Sequence, residues 1–269
     1  MALVIDGEKM NMKEPNIKPI GRREIEEIIT SDKFLRRFSE AANITWKTNH
    51  ETGFHVVRDI YENRIIYGNV VGFDAESEVI YDPTDSIRGG FSRSVEPLLD
   101  KYGLSLENND IYPVVNLHFH PFPSTFDPSE ADIKNFLGKR EDLFCEESYS
   151  ARINCKPVFV VGSQPTSERT IDLLLLQETG NRPLRRVFAD ILVSSIENES
   201  QYRDDNATIA RLYDKQSGIK AAMLTFERNN GIYKLKRGDY QKISRFASTP
   251  EFLGFAEPDI TTIYKLLSR

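Results

Sequence analysis

The stretch 111-IYPVVNLHFHPFPSTFDPSEADIKNF-136 decides how the fold is interpreted. Its first ten residues are largely apolar, and many are β-branched or aromatic, which is typical of a buried strand. Alternate side chains of a strand point to the same face. We therefore expect His118 and His120 to share one face. Asn116 and Val114 should lie behind them on that face, while the intervening apolar residues point to the opposite side.

The pair of histidines at the end of this strand predicts a metal site. The whole chain has only four histidines. Two imidazoles about 7 Å apart along a strand can bind one metal ion with their nitrogens at roughly 2 Å. Catalytic zinc usually takes three protein ligands. Asp132 is the candidate for the third, because a helix that begins near Ser129 would carry this carboxylate back over the end of the strand.

Each of these residues also has an ordinary structural interpretation. A single buried histidine is more often part of a core than a metal ligand. Ser129 and Asp132 fit a plain helix start, with Ser129 as the N-cap and Asp132 at the third helical position. The combination at fixed spacings, and not any one residue, favours a site.

Working outward toward the N-terminus, the sequence predicts helices followed by strands. Residues 21–43 place apolar side chains at helical spacing, with a break at 31–32 where the second helix would be capped. Strand-like residues flank a turn at 62–64, which predicts a hairpin. We also predict a strand at 77–84 and a helix ending near Gly103.

Toward the C-terminus, the sequence predicts more strands and a polar helical segment. A helix should begin at Ser129, and the apolar runs at 156–163 and 169–180 predict paired strands. Residues 181–218 are polar and helical in pattern. The dipeptide Asn-Gly at 230–231 is a strong signal for a two-residue hairpin turn, and a helix is expected to close the chain. This order predicts a mixed α/β or α+β domain around a central sheet.

The composition indicates which classes of protein this chain can belong to. Hydrophobic residues make up 39% and charged residues 28%, as in ordinary globular proteins. The net charge of -6 gives no electrostatic footprint for nucleic acid, so no nucleic-acid partner is expected. The two cysteines, Cys145 and Cys155, are too few for a disulfide framework. Without a signal-peptide pattern or an apolar run near the ~20 residues that a spanning helix needs, we expect a cytoplasmic protein with no membrane association.

The order and spacing of the motif residues resemble a known pattern. The segment HFHP at 118–121 is followed after seven residues by Ser129, and after two more by Asp132. This resembles the JAMM motif of the JAB/MPN zinc metalloprotease family, which reads Glu, a long gap, His-x-His-Pro, seven residues, Ser, two residues and Asp. One position departs from the family, since Phe119 stands where its members usually carry Ser, Thr or Asn. Its side chain should point away from the metal, so we expect the change to affect packing.

The resemblance covers roughly residues 46–176 and implies a cytidine-deaminase-like mixed β-sheet flanked by helices. On this basis the chain is divided into four parts. They are an N-terminal helical extension at 1–45, a JAB/MPN-like metalloprotease core at 46–177, a helical insertion or extension at 178–218, and a C-terminal hairpin and helix at 219–269 that can complete the core.

The resemblance also implies a role for each motif residue. His118, His120 and Asp132 would bind Zn²⁺. Ser129 would stabilise the tetrahedral intermediate. An upstream glutamate, which is not a ligand, would act as the general base toward a zinc-activated water.

Four glutamates are candidates for this base. Glu51 is the first choice, because it opens a predicted strand directly after the N-terminal helices, where the family carries its glutamate. Glu62 in the predicted turn is the second choice, and Glu76 and Glu78 are weaker candidates.

The function that the resemblance implies is a zinc-dependent isopeptidase or peptidase. Its substrate would be a peptide or isopeptide bond at the C-terminus of ubiquitin or a ubiquitin-like protein, or of their conjugates. Two alternatives stay open. A noncatalytic MPN-type scaffold would bind partners without chemistry, although such members usually lose the ligands that this chain keeps. A RadC-like protein linked to DNA repair carries a similar motif, but the acidic balance of this chain disfavours it.

Overall fold

The computed structural model describes residues 4–5, 8–9, 15–73, 90–106, 110–121, 151–154, 157–163, 169–179, 206–215, 218–247 and 251–255. The strand predicted at 77–84 and the helix predicted from Ser129 lie outside these residues. The same holds for the predicted site residue Asp132 and for the two weaker candidates for the base, Glu76 and Glu78.

The described residues form five α-helices and twelve strands. The helices are α1 (Arg22–Thr30), α2 (Asp32–Thr48), α3 (Gly90–Leu99), α4 (Asn206–Asp214) and α5 (Tyr240–Ile243). The strands are β1 (Val4–Ile5), β2 (Glu8–Lys9), β3 (Glu51–Asp59), β4 (Ile65–Tyr67), β5 (Val71–Phe73), β6 (Ile111–His120), β7 (Ala151–Asn154), β8 (Val158–Ser163), β9 (Thr170–Glu178), β10 (Ile219–Asn229), β11 (Ile232–Leu235) and β12 (Glu251–Phe255). None of these helices is long and apolar enough to cross a membrane.

One mixed sheet forms the centre of the described structure. Its strand order is β11-β10-β9-β8-β6-β3-β4, and β5 also pairs with β3. Strands β6 and β8 are parallel, and the other neighbours in this sheet are antiparallel. Two further pairs, β1 with β2 and β7 with β12, form separate two-stranded sheets. The prediction of a mixed α/β fold with a central sheet flanked by helices is confirmed.

Helices α1 and α2 cover one face of this sheet. Phe38 of α2 lies at the centre of the interface, with its ring centroid 5.2 Å from that of Phe119 on β6 and 4.7 Å from that of Phe226 on β10. Phe54 and Leu117 belong to the same buried cluster. The apolar stripe predicted in the N-terminal helices is therefore buried against the sheet, and these helices share one core with β3, β6 and β10.

Two smaller clusters lie on the opposite face. Helix α4 packs over β8, β9 and β10 in a cluster that includes Phe159 and Val161. Helix α3 packs over β3 and β4 through Val95 and Leu99. Strand β6 lies between β8 and β3 in the sheet, so its end with the two histidines falls between these two helical covers.

Local turn and cap predictions within the described residues are confirmed. The side chain of Ser31 accepts a hydrogen bond from the backbone N–H of Phe34 at 3.2 Å and so caps α2. Asn63 turns the β3–β4 hairpin at φ 59°, and the 230–231 turn has φ 51° at Asn and 83° at Gly.

One prediction is wrong. Val114 does not lie on the histidine face, because it is buried in the same cluster as Val115 and Leu117. The cause is a bulge in β6, where Val56 pairs with Val115 but Val57 pairs with Pro113. Proline has no N–H to give to a sheet, which favours a bulge at this point. At the C-terminus, strand β12 lies near the start of the last segment, and the residues after it, where the closing helix is predicted, lie outside the described part, so that helix stays a prediction.

Candidate metal and catalytic site

The register of β3 against β6 brings polar residues together on one face of the sheet. Gly53 pairs with His118, and His55 pairs with Asn116. One further step along the same face, the carboxylate Oε1 of Glu51 lies 3.9 Å from Nε2 of His120. The structure therefore brings together the first-choice glutamate and both histidines.

The two histidine rings turn toward each other at the end of β6. Their Nε2 atoms are 2.9 Å apart, and their ring centroids are 4.9 Å apart. Two nitrogens that bind one tetrahedral zinc ion at 2.0–2.1 Å are roughly 3.3 Å apart. The observed separation of 2.9 Å fits a hydrogen bond between two neutral imidazole rings. If the two nitrogens moved apart by a few tenths of an ångström, their separation would fit two ligands of one cation.

Gly53 allows β3 to lie close to β6 beside His118. A Cβ added to Gly53 would lie 2.3 Å from the carbonyl oxygen of Leu117 and 3.0 Å from both Cα and Cβ of His118. Any side chain at this position would push β3 away from β6 beside the first histidine. The close approach of the two strands at this point therefore requires glycine.

The side chains that the structure describes at this site fit a zinc ion. Two imidazole nitrogens at this separation, with a carboxylate beside them, have the chemistry that zinc prefers. Within the described ranges, no group of three His, Cys, Asp or Glu side chains forms a complete metal site. Asp132, the third predicted ligand, and Ser129, the predicted stabiliser, lie in the stretch 122–150, which is not described.

The surroundings of the histidines are apolar on one side and solvent-accessible on the other. The ring of Phe159 lies 5.3 Å from the ring of His118, centroid to centroid. His120 is 4% exposed as a residue, whereas the side chain of Glu51 is 31% exposed. The glutamate can therefore exchange protons with water, His120 is shielded from solvent, and His118 is half-buried.

The departure at Phe119 affects the core, as predicted. Its ring is fully buried on the face covered by α2, away from the histidines. A Cβ on Gly162 would lie 2.5 Å from ring carbons of Phe119. The bulky residue in the middle of the motif is therefore accommodated by a glycine on β8, directly opposite it in the register.

The second-choice glutamate lies far from this cluster. Glu62 is exposed in the turn after β3 and its carboxylate pairs with Arg64. Strand β3 runs for eight residue steps from Glu51 to Asp59, which is about 26 Å at 3.3 Å per step. Glu62 and the histidines therefore lie at opposite ends of β3.

Sequence reasoning gave no role to Asn116. Its side chain is buried on the histidine face, opposite His55. The sequence signal that could have pointed to this residue is an asparagine two positions before a histidine in an otherwise apolar strand.

No protein-family model matches this chain, and no curated protein matches it significantly.

Proposed function

We propose that this protein is a zinc-dependent peptidase or isopeptidase of the JAMM type, with a JAB/MPN-like core. The observation that carries the proposal is the position of the Glu51 carboxylate 3.9 Å from Nε2 of His120, which itself lies 2.9 Å from Nε2 of His118, at the end of two adjacent strands. The motif spacing in the sequence selected these same histidines, and Glu51 was the first choice among four candidate glutamates.

His118, His120 and Asp132 would hold the zinc ion. When bound, zinc lowers the pKa of a water toward 7 and polarises a carbonyl group. The protein residues supply proton transfer and charge stabilisation around that chemistry.

Glu51 is suited to the role of general base. Its distance of 3.9 Å from Nε2 of His120 is too long for a direct hydrogen bond, so the carboxylate is not held by that nitrogen. It would accept a proton from the attacking water and pass it to the leaving amine. Ser129 would donate a hydrogen bond to the oxyanion, an interaction typically worth ~2.7–4 kcal/mol.

The proposed substrate is an extended C-terminal tail of ubiquitin or a ubiquitin-like protein. Such a tail can bind by adding a strand to the edge of a sheet. Strand β5 pairs with β3 beside Glu51, in the register Glu51 with Phe73 and Thr52 with Gly72. Among the described strands β5 pairs with β3 alone, so its outer edge lies next to the site and supports this mode of binding.

The first experiment measures zinc and cleavage together. Purified protein should contain about one zinc per chain, and the double variant His118→Ala/His120→Ala should lose it. Wild type should cleave ubiquitin-like fusions or isopeptide-linked dimers, and Glu51→Gln should abolish cleavage while keeping zinc. Glu62→Gln is the matched variant at the other end of β3 and should retain activity.

Other outcomes would assign one of the two alternatives. Zinc binding without hydrolysis over a broad panel of substrates would favour a noncatalytic scaffold. A DNA gel shift that weakens with salt would favour the RadC-like role.

A further inference from the structure

Two buried threonines join the last turns of α2 to the start of β3. The hydroxyl of Thr52, a fully buried residue, donates a hydrogen bond to the backbone oxygen of Ala41 at 2.8 Å. It also lies 2.5 Å from the hydroxyl of Thr45, which is 1% exposed. A hydroxyl carries one proton, and a carbonyl oxygen can only accept. Thr52 therefore gives its proton to Ala41, and Thr45 donates to Thr52.

Thr45 also holds the backbone at the end of the helix. Its carbonyl oxygen accepts a hydrogen bond from the N–H of Asn49 at 2.9 Å, and Asn49 ends α2 in the left-handed conformation with φ 55°. Residues 49–50 alone separate α2 from β3. The backbone and the side chain of Thr45 therefore fix the same short corner. Rotation of the first residues of β3 about the strand axis would break the hydrogen bonds of Thr52.

This corner carries the carboxylate of the proposed general base. Successive side chains of a strand point to opposite faces. Because Thr52 points to α2, Glu51 points to the histidine face, where its Oε1 lies 3.9 Å from Nε2 of His120. The described pairing of β3 with β6 begins with Thr52 opposite Phe119, one residue after Glu51. On the side of β6, the direction of the Glu51 side chain therefore depends on how Thr52 is held.

Packing alone does not require hydroxyl groups at these two positions. Valine has nearly the shape of threonine, so two valines would fill the same space. Replacing both partners of a buried hydrogen bond by apolar groups of the same shape can be nearly neutral for stability. Valines would not supply a directional link between helix and strand. A catalytic carboxylate needs such a link, because its position must be held closely.

We propose that Thr45 and Thr52 form a clamp that positions the Glu51 carboxylate for proton transfer. Both are positioning residues, because they act through Glu51 and lie on the face of β3 away from the histidines. This inference rests on the proposed function and deepens it by naming what holds the base in place. A general base must lie within hydrogen-bond reach of the proton that it accepts.

Threonine-to-valine variants test the clamp by kinetics. Thr52→Val removes both hydrogen bonds and should lower kcat about 10–100-fold. Thr45→Val removes one of them and should have a smaller effect. The double variant should equal Thr52→Val, because the Thr45 hydroxyl then has no Thr52 acceptor to lose. Thr52→Ser keeps the hydroxyl and should retain most of the wild-type kcat. KM and zinc affinity should match wild type in all four, because both histidine ligands lie on β6.

Thr48→Val is the matched control on the same helix. The Thr48 hydroxyl donates to the backbone oxygen of Ile44 at 2.9 Å and accepts from the N–H of His50 at 3.3 Å, so its bonds stay within residues 44–50. This exposed variant should keep the wild-type kcat.

A purely structural role gives a different result. If folded Thr52→Val and Thr45→Val melt at lower temperature but keep the kcat of Thr48→Val, the proposal is overturned. A loss of zinc affinity parallel to the loss of kcat would place the defect in the metal ligands and would overturn it as well. If Thr52→Val does not fold, Thr45→Val decides by the same comparison.

A measurement without catalysis keeps this inference distinct from the proposed function. Amide hydrogen exchange reports local opening of the backbone. Exchange at residues 51–53 should be faster in Thr52→Val than in wild type, while exchange at 55–58 stays the same. If wild type cleaves no substrate, the proposed function fails, and faster exchange confined to 51–53 still supports the clamp. If wild type cleaves and Glu51→Gln does not, unchanged exchange and kcat in Thr52→Val would leave the peptidase proposal standing and refute the clamp.

Discussion

Gly53→Ala is the change that tests most directly how the site is built. The added Cβ would lie 2.3 Å from the carbonyl oxygen of Leu117, and real Cβ atoms essentially never approach closer than 3.0 Å. The contact is with backbone, so no side chain can rotate away. Strands β3 and β6 must therefore separate by at least 0.7 Å at this point, the difference between the two distances.

This separation acts on both stability and chemistry. Overpacking of a well-packed region costs about 1–3 kcal/mol. Glu51 lies two residues from Gly53 on β3, and its carboxylate faces the histidines of β6. A displacement near 1 Å of a group in a catalytic site can cost about 100-fold in rate. We therefore expect Gly53→Ala to lower the free energy of unfolding by about 1–3 kcal/mol. We also expect it to lower the rate of the proposed cleavage by about two orders of magnitude.

The neighbouring strand provides a matched control. Gly72 on β5 pairs with Thr52, one residue from Gly53, and a Cβ added to it would meet nothing within 4 Å. Gly72→Ala should be neutral or up to about 1 kcal/mol more stable, because alanine loses less backbone entropy on folding. Urea denaturation gives the stability, and cleavage is measured where both variants are folded. If Gly53→Ala were as stable as Gly72→Ala and cleaved substrate at the wild-type rate, the claim that this strand contact sets the site geometry would be refuted.

Two further predictions concern the core and the response to pH. Phe119→Ser, which introduces a residue type usual in the family, should lower the free energy of unfolding by about 3–5 kcal/mol, because the fully buried ring packs on Phe38. A loss below about 1 kcal/mol in urea denaturation would contradict this packing. Burial raises the pKa of Tyr67 above 10.0, so its contribution to stability is complete below about pH 10 and is lost as pH rises through the folded-state pKa. Tyr67→Phe should therefore reduce the fall in unfolding free energy between about pH 9 and 11, and an unchanged slope would argue against the burial effect.

Features set by local interactions could be predicted from the sequence. Ser31 caps α2 because its hydroxyl is three residues from the N–H that it accepts from. The Asn-Gly turn at 230–231 needs positive φ at both positions, which these two residues tolerate. The apolar run at 111–120 predicts the strand found there. Each of these signals lies within a few residues of the structure that it specifies.

Features set by strand pairing could not be predicted in the same way. The sequence left Glu51 and Glu62 as competing bases, and only the register of β3 against β6 brings Glu51 to His120. The need for glycine at position 53 is likewise invisible until Leu117 is known to lie opposite its neighbour. Val114 was assigned to the wrong face because strict alternation takes no account of a bulge.

The two faces of β6 differ in polarity, and the polar face carries the residues of the proposed site. Strands buried on both sides are normally apolar on both sides, because burial of polar groups is unfavourable. Leu117 and Phe119 follow this rule on the face covered by α2, whereas Asn116, His118 and His120 break it on the opposite face. Local rules are broken mainly where a site requires it, and the large core on the other face offsets the cost. The packing of its apolar face therefore supplies most of the contribution of β6 to stability. The opposite face can then carry polar residues that stability alone would not favour.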